Sequence, residues 1–314
     1  MTAITEADRA PRSPFDVQPD LRVVPLRTPT LPPATHTNCV VVGHRDVVVV
    51  DPASPYEDEQ RRLLDWIEGN GLRVHAILLT HQHGDHVGGA NALREATGVP
   101  VLAHPATTAA LKGHVRVDDS LFEGDLVSEA LEVDLGVPLR VLHTPGHARG
   151  HLAFRDERTG ALIGGDLVAA QGTIVIDPPD GNMADYLATL ARLIVLGTGV
   201  LIPAHGAAID AGEDKLLEYI AHRQMREEQL QVTLAARPQR CGRPIDLVPA
   251  IYPDVPPMFH PLAGRQVLAH LLKLEDEGRV DRPDGSTDVP GVPVYMSASM
   301  AGWTAELPVF RLLG

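Results

Sequence analysis

The 314-residue chain is 44% hydrophobic and carries 41 Asp and Glu against 27 Lys and Arg, a net charge of −14. Such a composition suits a globular protein with a substantial core and room for two domains, and its acidic excess repels polyanions over most of the surface. With no apolar run of transmembrane length, no hydrophobic signal core in the first ten residues, and only Cys39 and Cys241 to offer thiols, the expected setting is a reducing cytoplasm without a disulfide framework.

In chain order, residues 1–18 read as a flexible lead-in. Strands are predicted at 21–27, 37–43 and 46–51, then a helix over 56–69 with Leu63, Leu64, Trp66 and Ile67 on its apolar face, then a strand over 73–79. Directly after it, Thr80-His81-Gln82-His83-Gly84-Asp85-His86 concentrates three imidazoles and a carboxylate. So many ligating groups at a strand end would desolvate and repel one another unless a cation held them. In extended chain, residues two apart point the same way, so His81 and His83 can converge on one ion. Gly84 then permits a turn that swings Asp85 and His86 toward a second point, so one loop can serve two metals.

A helix is predicted over 86–97, a strand over 100–103 and a small helix over 105–112, followed by strands near 129–133, 138–143, 151–155, 160–165 and 173–176, a helix over 183–196 and a strand over 199–203. Three of these strands end on further ligands: His147 in His143-Thr144-Pro145-Gly146-His147, Asp166 after Gly164-Gly165, and His205 in Pro203-Ala204-His205-Gly206. The interleaving of strands and helices argues for a layered α/β architecture.

In these motifs the chain resembles the metallo-β-lactamase-fold hydrolase superfamily, with HxHxDH, a TPGH histidine, a GGD aspartate and a PxHG histidine in order over residues 20–210. The resemblance implies an αββα sandwich with the metals at one edge. It further implies that His81, His83 and His147 hold one divalent ion, that Asp85, His86 and His205 hold the other, and that Asp166 bridges them. Zinc is the expected ion for imidazole and carboxylate ligands, with iron or manganese also compatible. A hydroxide bridging the two metals would be the nucleophile, and Asp85 would orient it or pass a proton to the leaving group. Asp51 resembles the superfamily's early aspartate, which would support a ligand histidine from behind. His151 is expected to give structural support to the loop, and His143 to point away from the site.

Beyond His205 the pattern changes. Helices are predicted over 213–235, 244–252 and 261–277, with a short strand opening at Gly278-Arg279-Val280, which together suggest a winged-helix module. The helix around Tyr219–Gln229 and the run His270–Gly278 resemble the C-terminal module of the lactamase-β-like-2 group, whose members include a single-strand endoribonuclease as well as thioester hydrolases. The expected division is therefore a lead-in over 1–18, a catalytic domain over 19–212, and a winged-helix-like domain with tail over 213–314. Residues 283–314, including the alternating stretch Val292–Tyr295 and Trp303, have no assigned role beyond a wing extension or a contribution to a homodimer contact.

Charge chooses between the two substrate classes. Residues 218–282 contain nine basic and nine acidic side chains, so the module is neutral where a nucleic-acid binder is usually basic, and the 4% aromatic content of the chain leaves few stacking platforms, which weakens RNA cleavage without excluding it. The favoured function is hydrolysis of a small ester or thioester; the alternative is a metal-dependent endoribonuclease or phosphodiesterase acting on single-stranded RNA. A regulatory protein with a vestigial site is disfavoured because all seven ligand positions are filled.

Overall fold

The structure, a computed structural model, describes residues 13–289 and 307–313. The chain divides into two compact units, the first comprising Met1–Thr144, Gly150–Ile174 and Leu193–Lys215, the second Pro145–Arg149, Val175–Arg192 and Leu216–Gly314.

In the first unit, strands β1 (Phe15–Gln18), β2 (Leu21–Arg27), β3 (His36–Val42), β4 (Asp46–Val50), β5 (Arg73–Leu78), β6 (Val101–Ala103) and β7 (Asp119–Ser120) form one sheet in sequence order. The first four pair antiparallel and β4 to β7 pair parallel. Parallel pairing needs crossovers, and helices α1 (Glu57–Gly69), α2 (Gly84–Val87), α3 (Ala90–Thr97) and α4 (Pro105–Leu111) lie in those connections. A second sheet takes the order β11 (Leu201–Pro203), β10 (Leu162–Gly165), β9 (Leu152–Asp156), β8 (Leu139–His143).

Strand β4 explains the layering. Val48 and Val50 join Ala76, Leu78, Val141, Phe154, Ile163 and Ile202 in the core between the sheets. Val47 and Val49, pointing the other way, join Leu63, Ile67, Leu93 and Leu111 from the helices. Both faces of the strand are covered, which is why its sequence is a continuous valine run rather than an alternation. Each such valine contributes on the order of 1.5–3 kcal/mol of burial free energy.

The second unit contains most of α6 (Met183–Val195) and of α7 (Gly212–Ala235), together with α8 (Pro244–Ile251), α9 (His260–Asp276) and a small sheet in the order β12 (Cys241–Gly242), β14 (Phe310–Leu312), β13 (Val280–Asp281). Leu230, Leu234, Leu247, Ile251, Val267, Leu271, Leu274 and Phe310 form its core. The expected helices and short strand are present.

Several expectations need correction. Residues 15–18, read as part of the lead-in, form β1 and pair with β2. The predicted helix over 86–97 is two pieces, broken at Gly88 and Gly89, where a Cβ would lie 2.7 Å from the Ala53 carbonyl oxygen and 2.3 Å from that of Pro52. The predicted strand over 129–133 is instead the end of a short helix, α5 (Val127–Ala130), followed by a turn with Glu132 at φ 52°. Residues 173–176 belong to no strand; the Ile176 N–H donates to the Gln266 side chain. The stretch Val292–Tyr295 and Trp303 lie outside the described residues. No helix among the described residues is long and apolar enough to cross a membrane.

Candidate metal centre

The ligand-bearing segments follow the carboxyl ends of strands: Thr80–His86 follows β5, His147 follows β8, Asp166 follows β10, and His205 follows β11. Strand ends suit this task because a rigid sheet fixes where each short loop begins.

Two sets of potential ligand atoms converge, His81, His83, His147 and Asp166 in one and Asp85, His86 and His205 in the other, with the atoms of each set within 4.8 Å of one another. His81 Nε2 lies 2.9 Å from His83 Nδ1. Asp166 Oδ1 stands 3.4 Å from His86 Nε2 and 3.4 Å from His205 Nε2, and Asp85 Oδ2 is 3.6 Å from His205 Nε2. All seven residues predicted from the sequence therefore fall into these sets. His81 and His86 are sealed, whereas Asp85, Asp166 and His205 keep 7–9% of their surface.

Four of the five imidazoles, those of His81, His86, His147 and His205, are oriented from behind. Asp51 Oδ2 accepts from His86 Nδ1 at 2.8 Å, while its two oxygens also accept the Thr80 N–H and hydroxyl at 2.8 and 2.6 Å. Because the Thr80 hydroxyl donates to Asp51, its oxygen is free to accept from His81 Nδ1 at 3.0 Å. The carbonyl of Val175 faces His147 Nδ1 at 2.7 Å and that of His36 faces His205 Nδ1 at 3.1 Å. A carbonyl can only accept, so both rings carry their proton on Nδ1 and present the Nε2 lone pair. Asp51 adopts φ 49°, a left-handed conformation that strains a non-glycine residue and that its three hydrogen bonds hold in place.

His151 gives the structural support expected of it. Its Nε2 accepts the Asp166 N–H at 3.1 Å and its Nδ1 pairs with the Thr144 hydroxyl at 2.8 Å. The close approach requires Gly165, at φ 51°, where a Cβ would meet His151 Nε2 at 2.8 Å. His143 stacks on His104 with ring centroids 4.4 Å apart and lies in neither ligand set. Sequence reasoning did not single out Thr80, Thr144, or Asn38, whose Nδ2 donates to the carbonyls of Pro203 and Gly206 at 2.8 Å each and so pins the His205 loop. Asn38 carries no spacing signal because its partners lie far away in sequence, and the two threonine hydroxyls, though Thr80 adjoins His81 and Thr144 lies seven residues from His151, belong to no ligand pattern.

The electrostatics match a cation. Burial opposes the charged form of His86, yet Asp166 and Asp51 outweigh it and raise its proton affinity well above that of free imidazole. Burial likewise raises the Asp85 carboxyl, but facing His86 and His205 hold it below the ordinary carboxylate range. His86 Nε2 is buried and makes no hydrogen bond to any described residue. A buried nitrogen left without a hydrogen bond among carboxylates is costly in water-free surroundings and fits a divalent ion.

Residues 32–205 match the model of the metallo-beta-lactamase superfamily, and residues 244–288 that of the beta-lactamase associated winged helix domain. The chain is similar to a beta-lactamase-like protein 2 homolog of Drosophila melanogaster, 26% identical over 260 residues that cover 78% of this chain and 84% of the relative. It is 31% identical to lactamase-like protein vrtG of Penicillium aethiopicum over 70% of this chain and 69% of the relative. A metallo-beta-lactamase family protein from Thermus thermophilus superposes with a TM-score of 0.70 at 25% identity, covering 95% of this chain and all of the other. A beta-lactamase domain protein from Burkholderia ambifaria, at 21% identity and TM-score 0.76 over 99% of this chain and 96% of its own, shares the fold. With the His/Asp cluster in place, the chain belongs to the metallo-β-lactamase superfamily of metal-dependent hydrolases, and its α/β sandwich is followed by the superfamily's winged-helix domain.

Proposed function

We propose that this enzyme is a dinuclear hydrolase of a small ester or thioester, with zinc as its ion. His81, His83 and His147 would hold one ion, Asp85, His86 and His205 the other, and Asp166 would lie between them. The observation that carries this reading is the equal 3.4 Å separation of Asp166 Oδ1 from His86 Nε2 and His205 Nε2, while Asp166 also belongs to the ligand set of His81, His83 and His147. All seven donors are imidazole nitrogens or carboxylate oxygens, the ligand chemistry that suits zinc. Two divalent cations so held supply, when bound, an acidified water for attack at neutral pH and a positive charge beside the bond under attack.

The chain's own residues do the rest. Asp51, Thr80 and the carbonyls of His36 and Val175 keep the imidazole lone pairs aimed inward. Asp85, held ionised by its neighbours, is the group we assign to orienting the attacking water and carrying a proton to the leaving group. A small acyl substrate is favoured by the C-terminal charges. Arg223 and Arg265 are buried, and Lys273, Arg279 and Arg282 are paired with Glu227, Glu277 and Glu275, which withdraws five of the nine cations of residues 218–282 from phosphates. We take the catalytic domain to run to residue 212 and the module to begin at 213. The reducing cytoplasm is the proposed setting, in keeping with free thiols at Cys39 and Cys241.

The test is a panel of acyl-thioesters, lactones, aryl phosphodiesters and unstructured RNA offered to the metal-replete full chain, with Asp85→Ala and His147→Ala as controls. Turnover of thioesters or lactones that both substitutions abolish is expected. Turnover of RNA alone would replace the acyl substrate with the phosphodiester.

A further inference from the structure

The segment Val175–Pro178 lies between a metal-ligand candidate and the C-terminal module, and all the contacts that follow lie within the second unit. On one side the Val175 carbonyl accepts from His147 Nδ1 at 2.7 Å. On the other, α9 grips the next three residues: Gln266 Oε1 accepts the Ile176 N–H at 2.9 Å, Arg265 Nε donates to Asp177 Oδ1 at 2.5 Å, and the Arg265 guanidinium donates to the Pro178 carbonyl. The loop bearing His147 is tied down in the same manner, Asn182 N–H donating to the Gly146 carbonyl at 2.7 Å and the Thr189 hydroxyl to the Pro145 carbonyl at 2.7 Å.

We propose that α9 is a positioning element of the metal centre: Gln266 and Arg265 hold the Val175 carbonyl where it fixes the His147 tautomer and aims Nε2. The inference rests on His147 being a ligand. Its physical basis is that Arg265 and Gln266 are only 1% and 5% exposed. Burying a guanidinium and an amide is costly unless hydrogen bonds offset it, as those to segment 176–178 do, and apolar side chains of similar volume often pack as well, so packing of α9 alone does not call for them. Among the described residues segment 175–178 pairs with no strand; the Asp177 carbonyl accepts the Gly181 N–H at 2.8 Å, and the remaining anchors of its backbone include these two side chains. The winged-helix module, neutral and with buried arginines, then serves the hydrolytic site rather than a nucleic acid.

The experiment uses the full-length protein loaded with Co(II), read by visible absorption and by the rate at which a chelator removes each metal equivalent. Gln266→Met, which removes the acceptor, is expected to loosen one of two equivalents by about tenfold and to alter the ligand-field bands, because orienting contacts of this kind are worth about 10–100-fold in metal affinity. Gln266→Glu, which keeps an acceptor for the Ile176 N–H, should restore both readouts. Leu274→Ala, a cavity in the same helix, should lower Tm while leaving the spectrum and the chelation rate at wild-type values. Should Gln266→Met fail to fold, Arg265→Lys carries the same expectation, since it keeps the charge and gives up the two-pronged grip. Wild-type metal retention and spectrum in Gln266→Met, or equal loosening in Leu274→Ala, would overturn the proposal. His147→Ala should hold one equivalent fewer than wild type; if it kept both, the ligand assignment itself would fall and this inference with it, a result distinguishable from failure of the α9 link alone.

Discussion

His86 in the sandwich and His270 in the C-terminal module are both sealed from solvent, each with Nδ1 against a carboxylate, Asp51 at 2.8 Å and Glu227 at 3.3 Å. Each also has an Nε2 that makes no hydrogen bond to any described residue. Burial lowers the proton affinity of both. Asp166 and Asp51 more than offset it at His86, which rises well above the ordinary imidazole value, whereas Glu227 does not offset it at His270, where Arg223 and Lys273 add to the loss and the pKa falls to about 4. The same buried imidazole thus reports opposite surroundings. Carboxylates in excess make the first region one that fits cations, while the second already contains its cations and keeps a neutral ring.

The largest effect that could break this contrast comes from Asp166→Ala, which removes the carboxylate shared by His86 and His205. Hydrolysis of any panel substrate should fall by about a thousandfold or more, with reduced metal content measured by elemental analysis. Unchanged metal content would mean that local charge does not hold the ions. Next in size is Asp51→Asn, which keeps the shape but weakens the support of His86 and Thr80; metal affinity or kcat/KM should drop about 10–100-fold, read by competition with a chelator.

The module is probed by pH. His270 has a folded-state pKa of about 4 against an ordinary 6.5, so the unfolded chain binds the proton more tightly. Its contribution to stability is therefore fully present above pH 6.5 and is lost as pH falls from 6.5 toward 4, by roughly 3 kcal/mol. The Glu227 carboxyl is held low by His270 and Lys273 against its burial, so its contribution is also lost in acid, below the ordinary carboxylate pKa. Urea denaturation of wild type and His270→Leu should show the stability difference moving in favour of the variant by about that amount between pH 7 and pH 4. A constant difference would contradict the assignment. The smallest effect is expected at a third imidazole–carboxylate pair, His75 with Asp46 at 2.6 Å, which lies partly exposed on the surface. Substituting His75→Ala should leave melting temperature and metal content essentially unchanged, because solvent screens the pair.

What was legible in the sequence follows the range over which each feature is encoded. His81, His83, Asp85 and His86 declare themselves within six residues, and His147, Asp166 and His205 each sit beside a strand end marked by Gly or Pro. Asp51 behind His86 was legible too, but the other supports were not where the partner is a backbone carbonyl remote in sequence: Val175 for His147 and His36 for His205. Residues 173–176, Thr-Ile-Val-Ile, have the β-branched composition of a strand, but Ile176 gives its N–H to Gln266 instead of a ladder. Local composition spoke for extended backbone and could not say what would pair with it. The break at Gly88-Gly89 was legible as glycines and missed as a close approach to Pro52 and Ala53.

Hydrolysis by two ions in this site is tested most directly by counting divalent ions per chain in the purified full-length protein, before and after exhaustive chelation, beside its hydrolytic rate on the panel substrates. Two equivalents, lost together with activity and regained together on adding zinc, is the predicted result. A chelated protein without bound metal that hydrolyses its substrate at the original rate would contradict it.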